Sequence, residues 1–433
     1  MTIDYKARRQ QFAHQLPSHG IAVIPAGSER LRTGDSHYRF CQDSDFYYLT
    51  GFNEPDALLI ITSGAQGESV LFNRPRMPAE EQWTGARLGQ EDALAILKLD
   101  RAFPIASLEE KLPELLMGKS VIYYPLGRYP RIEKQLFDAW QKVKGRVRGG
   151  VIAPQSFVDL VPLLGEMRLI KSKEEQQLMR EAARISIAGH QRAMRACRHA
   201  QFEYELEAEF IYEITRQGCR STAYDSIVAG GANGCVLHYT ANNQPLVPGE
   251  LVLMDAGGEL DHYAADITRT YPVNGRFSEE QRLIYALVMS AQQAGIACVK
   301  PGAAWNSIQE AVVRVLTTGL VDLGLLRGSV DGLIEQGAYK SLYMHSSGHW
   351  LGLDVHDVGA YTLDGSWRPL APGMVLTVEP GLYISEGMAG IDSRWWGIGV
   401  RIEDDILVTK TGHENLTEAL PVAVDAIEEW LRG

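Results

Sequence analysis

Four acids and one histidine in this chain are set in sequence that reads as buried strand. Leu251-Val-Leu-Met-Asp255 ends an apolar run on a carboxylate, and Asp266 follows eleven residues later in Ala-Ala-Asp-Ile-Thr-Arg. A Gly257-Gly258 turn region lies between them, and hairpin geometry can bring two such carboxylates side by side. Val375-Leu-Thr-Val-Glu379 repeats the device before Pro-Gly, as does Gly399-Val-Arg-Ile-Glu403. His349 stands in a glycine-rich segment, Gly348-His-Trp-Leu-Gly-Leu-Asp-Val-His356. Singly, such an acid reads as a turn former or cap, and such a histidine as a hydrogen-bonded core residue. Together they read otherwise, because acids in apolar strands are costly to bury unless paired or on a metal. Four carboxylates and one imidazole suit two divalent ions, with Mn²⁺ favoured by the carboxylate excess and Co²⁺ or Zn²⁺ also compatible. Ions about 3.5–4 Å apart would generate a hydroxide at neutral pH and polarise a carbonyl.

The elements that must position these groups are legible in outline. Residues 1–165 alternate short strands and helices: Ile21–Pro25 and Ala57–Thr62 read as buried strands, Pro104–Leu116 and Arg131–Lys144 as helices. Near residue 166 the texture changes. Ser172-Lys-Glu-Glu175 has capping-box spacing and opens a helix to about Cys197, with a second over Glu203–Gln217. Ser278-Glu-Glu-Gln281 repeats the signal, opening a helix to about Val299, and another follows over Trp305–Leu323. Strand-rich sequence follows each helix pair, Tyr224–Thr270 and then His345–Val408. The expectation is an α+β chain: a smaller α/β domain over 1–165, then a pseudo-symmetric helix–helix–sheet domain over 166–433.

Three cheaper signals fail. Gly118-Lys-Ser120 lacks the upstream glycine of a phosphate loop and precedes a strand-like Val-Ile-Tyr-Tyr. Gly397-x-Gly399 has Ile402 where a dinucleotide fingerprint needs its third glycine. His345-Ser-Ser-Gly-His349 has the spacing of a helical zinc pair, but it lacks the base glutamate and Ser-Ser-Gly disfavours a helix. Composition narrows the class further. The 433 residues carry 42 Lys+Arg against 54 Asp+Glu, a net charge of −12, which disfavours nucleic-acid or polybasic membrane binding. The basic run Lys142, Lys144, Arg146 and Arg148 is short enough for a solvated surface stretch. No apolar run reaches the length of a membrane span, and Met1–Ala13 lacks a signal-peptide core. Five scattered cysteines without a C-x-x-C pair suit a reducing compartment and exclude a cysteine zinc site, so a cytoplasmic protein is expected.

The same residues carry a family resemblance. Met-Asp255-Ala-Gly, Ala-Asp266-Ile-Thr-Arg, His345-Ser-Ser-Gly-His349-Trp-Leu-Gly-Leu-Asp-Val-His356-Asp, Thr-Val-Glu379-Pro-Gly and Val-Arg-Ile-Glu403-Asp resemble, in order, the motifs of the pita-bread metallopeptidases. The Xaa-Pro aminopeptidases (aminopeptidase P) are the most similar branch. Arg39–Pro55 resembles that branch's N-terminal domain, so the likeness spans essentially the whole chain. Ser346-Ser347-Gly348 departs from the usual glycine followed by an aliphatic residue and bears on loop rigidity.

The resemblance implies roles. Asp255 would chelate one metal, Asp266 and Glu403 would bridge both, and His349 and Glu379 would complete the ligand set of the second metal. Glu379 would also accept a proton from a bridging hydroxide and deliver it to the leaving nitrogen. His238 and His356 would hydrogen-bond the scissile carbonyl and stabilise the oxyanion. His345 and Arg401 would orient ligands, Arg401 against Asp255, and Tyr383 would line the substrate pocket. Asp35, Arg148 and Trp83 match pocket-facing residues of the N-terminal domain, with Trp83 reaching a neighbouring subunit of a homo-oligomer, dimer or tetramer. The implied substrates are peptides with proline second. Prolidase, which takes Xaa-Pro dipeptides, and a catalytically inactive peptide-binding pita-bread domain are the alternatives. Creatinase-like chemistry is disfavoured by the intact ligand positions, and methionine aminopeptidase by the N-terminal domain.

Overall fold

The computed structural model describes residues 3–65 and 67–432. The chain forms two compact units, one running through Met167 and one from Arg168. The N-terminal unit is built on a six-stranded mixed sheet: β1 (Gly20–Pro25), β2 (Leu58–Thr62), β3 (Ser69–Asn73), β4 (Arg101–Pro104), β5 (Val121–Tyr124) and β6 (Ser156–Asp159), in the order β4-β3-β2-β1-β5-β6. β1–β2 and β2–β3 pair antiparallel, and the other neighbours pair parallel. Alternate residues such as Ile21, Val23, Ile60, Phe72 and Ile122 form one core with helices α1 (Leu108–Leu116) and α2 (Pro130–Lys144), the period of two expected of a pleated strand. The run from Pro104 is not helical throughout. Pro104 closes β4, a 3₁₀ turn covers Ile105–Ser107, and the helix begins at Leu108. Proline fixes its own φ and pushes the preceding residue towards extended backbone, which favours the strand there. β5 follows directly on Gly118-Lys-Ser120, where a phosphate loop would require a helix.

The C-terminal unit repeats one plan twice. Helices α3 (Lys173–Ala196) and α4 (Glu203–Arg216) precede β7 (Ile227–Gly230), β8 (Leu251–Asp255) and β9 (Thr268–Pro272). Helices α5 (Glu279–Cys298) and α6 (Asn306–Asp322) precede β10 (Val375–Val378), β11 (Gly381–Ile384), β12 (Ile398–Arg401) and β13 (Asp404–Val408). Both first helices open on complete capping boxes, Ser172 with Glu175 and Ser278 with Gln281, each side chain bonding the other's backbone N–H. β7-β8-β9 is antiparallel, with Asp255 opposite both Ile227 and Thr268. In the second half β10 pairs with β13 and β11 with β12, again antiparallel. A bridge between Thr268 and Glu403 joins the halves. Buried Arg269 reinforces that join, donating to the carbonyls of Thr268 (2.9 Å) and Glu403 (2.6 Å) and to Asp404 Oδ1 (2.7 Å). Helix and strand residues of both halves share one hydrophobic core, which makes a rigid base for the strand ends.

Candidate active site

Each candidate acid sits where a strand stops. Asp255 is the last residue of β8, Asp266 lies two residues before β9, Glu379 follows β10, and Glu403 sits between β12 and β13. Strand ends serve this purpose because the ladder fixes the backbone while the side chain clears the sheet. The segment from His345 to His349 is not helical, and its backbone is held against β10 by Thr377 N donating to His349 O (2.9 Å) and Glu379 N to Ser347 O (2.9 Å). Gly348 is required by this approach, since a Cβ there would stand 2.0 Å from the Thr377 carbonyl oxygen. Ser347, the unexpected residue of the segment, is buried. Its N–H and Oγ both donate to Gln309 Oε1 at 2.7 Å, and Tyr343 meets its Oγ at 2.6 Å. Ser347 is thus a hydrogen-bonded brace between this segment and α6.

These residues converge on one cleft of about 810 Å³, lined by Asp255, Asp266, His349, Glu379 and Glu403 together with His238, His345, His356 and Arg401. Donor atoms of Asp266, His349 and Glu403 lie within 4.8 Å of one another. His349 Nε2 is 3.4 Å from Asp266 Oδ2 and 3.6 Å from Glu379 Oε1, and its Nδ1 is 3.0 Å from the Trp350 carbonyl, which orients the ring. Arg401 Nη2 donates to Asp255 Oδ2 at 2.6 Å, and Thr268 Oγ1 to Glu403 Oε2 at 2.6 Å. His345 Nε2 lies 2.8 Å from the Tyr383 hydroxyl and its Nδ1 3.8 Å from Glu379.

Tyr383 corrects an expectation. It is 1% exposed and absent from the cleft wall, with its hydroxyl held between His345 and Arg401 (3.1 Å). All four residues of its strand are buried, and its ring packs with Ile227, Ala229 and Leu253 while Leu382 and Ile384 join the main core, so the ring braces the wall from behind. Asp35, Trp83 and Arg148 lie exposed on the N-terminal unit, Trp83 with 88% of its surface open. Every described residue lining the cleft belongs to the C-terminal unit.

Sequence reasoning missed three supports. Tyr224 donates to Asp255 Oδ1 (2.6 Å) and stands 2.5 Å from Asp266 Oδ1, so one hydroxyl bridges the two acids. No local pattern marks that tyrosine. Glu203, buried at the start of α4, accepts from Gly230 N, Asn233 Nδ2, Tyr239 OH and Gln244 N at 2.8–3.0 Å, clamping the segment that carries His238. Asp357 accepts from Arg168 Nη2 (2.5 Å) and Lys171 Nζ (3.0 Å), clamping the neighbour of His356. An acid opening a helix gives the second of these away only as a cap, and the third only as a charge.

Electrostatics argue for cations. Burial pushes the carboxyls of Asp255 and Glu403 up and that of Glu379 up to about 7, with the other acids adding to it. Burial is also the largest single influence on Asp266, but the hydrogen bond and charge of His349, the Tyr224 hydrogen bond and Arg401 together outweigh it and hold this carboxyl below the usual range. His349 is the converse: burial disfavours its charge, yet Asp266 and Glu379 raise it to about 9. Four carboxylates thus face one guanidinium, Arg401, in a place where charge is poorly solvated. Divalent ions bound by these oxygens and the imidazole would remove the imbalance, and the donor set fits them.

A carboxylate-rich cluster at the strand ends of two matching helix–helix–sheet halves defines a metallopeptidase of the pita-bread class. The chain belongs to metallopeptidase family M24, whose model matches residues 177–410, and residues 5–123 match the aminopeptidase P N-terminal domain. It is 45% identical to the Xaa-Pro aminopeptidase of Escherichia coli, over 98% of this chain and 96% of that one. The Haemophilus influenzae Xaa-Pro aminopeptidase is also 45% identical, over 99% and 97%. Among solved structures, aminopeptidase PepP of Pseudomonas aeruginosa superposes with a TM-score of 0.97 at 48% identity, covering 99% of this chain and 97% of that one.

Proposed function

We propose that this chain is an Xaa-Pro aminopeptidase, hydrolysing the bond between an N-terminal residue and a proline in second position. The observation that carries the reading is the single cleft in which a carboxylate–imidazole cluster faces two exposed imidazoles, His238 and His356. Asp255, Asp266, His349, Glu379 and Glu403 would hold two divalent ions, which when bound polarise the scissile carbonyl and lower the pKa of water. The carboxylate-rich donor set favours manganese. Glu379 accepts the proton of the attacking water and returns it to the departing proline nitrogen. His238 and His356 donate to the oxygen that becomes anionic, and burial together with His349 holds the His356 imidazole below its usual pKa, so it donates as a neutral ring. Arg401 fixes Asp255, and His345 with Tyr383 fixes the wall beside Glu379. The acids also recognise the free α-amine. Because a prolyl nitrogen has no N–H to offer, specificity falls to the shape of the cleft around the ring.

Five free cysteines suit a reducing, cytoplasmic setting, and among the described residues no helix is long and apolar enough to cross a membrane. Exposed Trp83 on the N-terminal unit would complete the substrate site of a neighbouring subunit in a homo-oligomer, and Asp35 and Arg148 are likewise exposed on that unit.

A peptide panel with and without added Mn²⁺ tests the reading. Xaa-Pro-Yaa and longer peptides should be cleaved much faster than Xaa-Pro dipeptides. Peptides with alanine second should be poor, and N-acetylated peptides inert. A dipeptide as best substrate would make the chain a prolidase, and no cleavage by metal-loaded protein would make it a peptide binder.

A further inference from the structure

A side alcove of about 120 Å³ opens off the main cleft past Trp305, Ser346, Gly348 and Trp367, which line both spaces. Its remaining lining includes Asn306, Gln309, Ser347 and Thr377, and none of its described lining residues carries a charge. Trp305 is locked in place by ring contacts with Trp350 (centroids 4.2 Å) and Tyr361 (4.7 Å), and those two rings stack on each other at 5.4 Å. Trp367, 49% exposed on the short Thr362–Trp367 hairpin, supplies another wall. The polar part of the alcove is directional. Gln309 Oε1 accepts both the N–H and the Oγ–H of Ser347, and a backbone N–H can only donate, so the amide cannot be flipped. What Gln309 has left for a guest is its Nε2 donor.

The alcove lies on a definite side of the cluster. Contacts run from Tyr224 to Asp255 and Asp266, from Asp266 to His349, and on to His356 and the Trp350–Tyr361–Trp305 stack. Exposed Asp225 adds negative charge beside Tyr224, so the free amine of a peptide belongs at that end. The chain beyond the proline then passes the His349 end, where the alcove opens.

We infer that this alcove is a subsite for the side chain of the third residue of the peptide, selecting a neutral chain of moderate length that carries a carbonyl oxygen. The inference rests on the Xaa-Pro aminopeptidase reading. At a water's share of about 30 Å³, the space of about 120 Å³ holds roughly four water-sized groups, which suits a side chain of leucine or glutamine size, and Gln309 favours glutamine of the two. Indole faces accept a planar amide, and Gln309 Nε2 meets its oxygen. Aspartate and lysine would lose solvent there without gaining a counter-charge.

Amidated Ala-Pro-Yaa peptides with Yaa as Gly, Gln, Leu, Asp or Lys test this by kcat/KM on the metal-loaded full chain. Gln and Leu should exceed Gly by ~10-fold, the usual worth of a filled pocket, with Asp and Lys no better than Gly. Trp367→Ala should bring the Gln:Gly and Leu:Gly ratios to within about twofold of unity, and Gln309→Glu, which swaps donor for acceptor, should favour Lys over Gln. A wild-type enzyme indifferent to Yaa overturns the subsite while leaving the aminopeptidase reading standing. A preference that survives both substitutions assigns it elsewhere, as does a Trp367→Ala effect on the first residue of the peptide instead. Failure to cleave every peptide overturns the reading and the subsite together.

Discussion

Asp357→Asn keeps the shape of a buried carboxylate and deletes its charge. The Asp357 and Lys171 side chains are each 1% exposed and that of Arg168 is 2%, with contacts of 2.5 Å from Arg168 and 3.0 Å from Lys171. Removing one partner of a buried pair costs about 3–5 kcal/mol, because the other charge stays behind unsolvated. Arg168 also holds Asp354 at 2.8 Å, so the loss falls mainly on Lys171 and about 3 kcal/mol is expected. Adding Lys171→Met removes that stranded ammonium and should recover most of the loss. Burial alone would raise the Asp357 carboxyl, but Lys171 and Arg168 outweigh it and hold it below the usual range. A depressed carboxyl stabilises fully above its unfolded pKa of about 3.9 and loses that contribution only as pH falls through the lower folded value. The cost of Asp357→Asn should therefore be the same at about pH 7 and about pH 5. Urea unfolding followed by tryptophan fluorescence reads the stability. On the same samples kcat should fall ~10-fold with metal content kept, since the loop carrying His356 is loosened. A loss under about 1 kcal/mol, or one that disappears by about pH 5, would refute the reasoning.

Glu403→Gln or Asp255→Asn should remove most metal, read by elemental analysis, while circular dichroism stays native because the core is built independently of the site. Full metal content and activity would take these residues out of the coordination shell. His356→Ala and His238→Ala should each lower kcat by ~10²–10³-fold at unchanged metal stoichiometry, and loss of metal in either would make it a ligand. His190, with no exposed surface, lies 2.8 Å from the Ala256 carbonyl and is held by burial at about 4. The unfolded chain takes up that proton near 6.5 and the folded chain does not, so stability should fall by about 2 kcal/mol between pH 7 and 5 on this account. His190→Gln should flatten that slope in urea titrations, and an unchanged slope would assign the acid sensitivity to other groups.

Much of this molecule was legible in one dimension. An acid in an apolar run is conspicuous, and Asp255, Asp266, Glu379 and Glu403 do converge with His349 on one cleft. Capping boxes are local, so Ser172 and Ser278 announced both long helices, and continuous apolar runs announced β1 and β2. Contacts set by tertiary placement had no such signature. Nothing beside Tyr224 says that its hydroxyl spans Asp255 and Asp266, 31 and 42 residues on. Nothing in Tyr383 says which side of the wall its ring takes, and it stands behind the wall. Trp305 and Trp367 are 62 positions apart in the chain, yet they meet at one alcove. The physical reason is the range of each interaction. Caps and apolar runs arise within a few residues, so composition and spacing record them. Hydrogen bonds and ring contacts between residues far apart in the chain exist only once the core has brought their segments together, and the packed structure alone decides them.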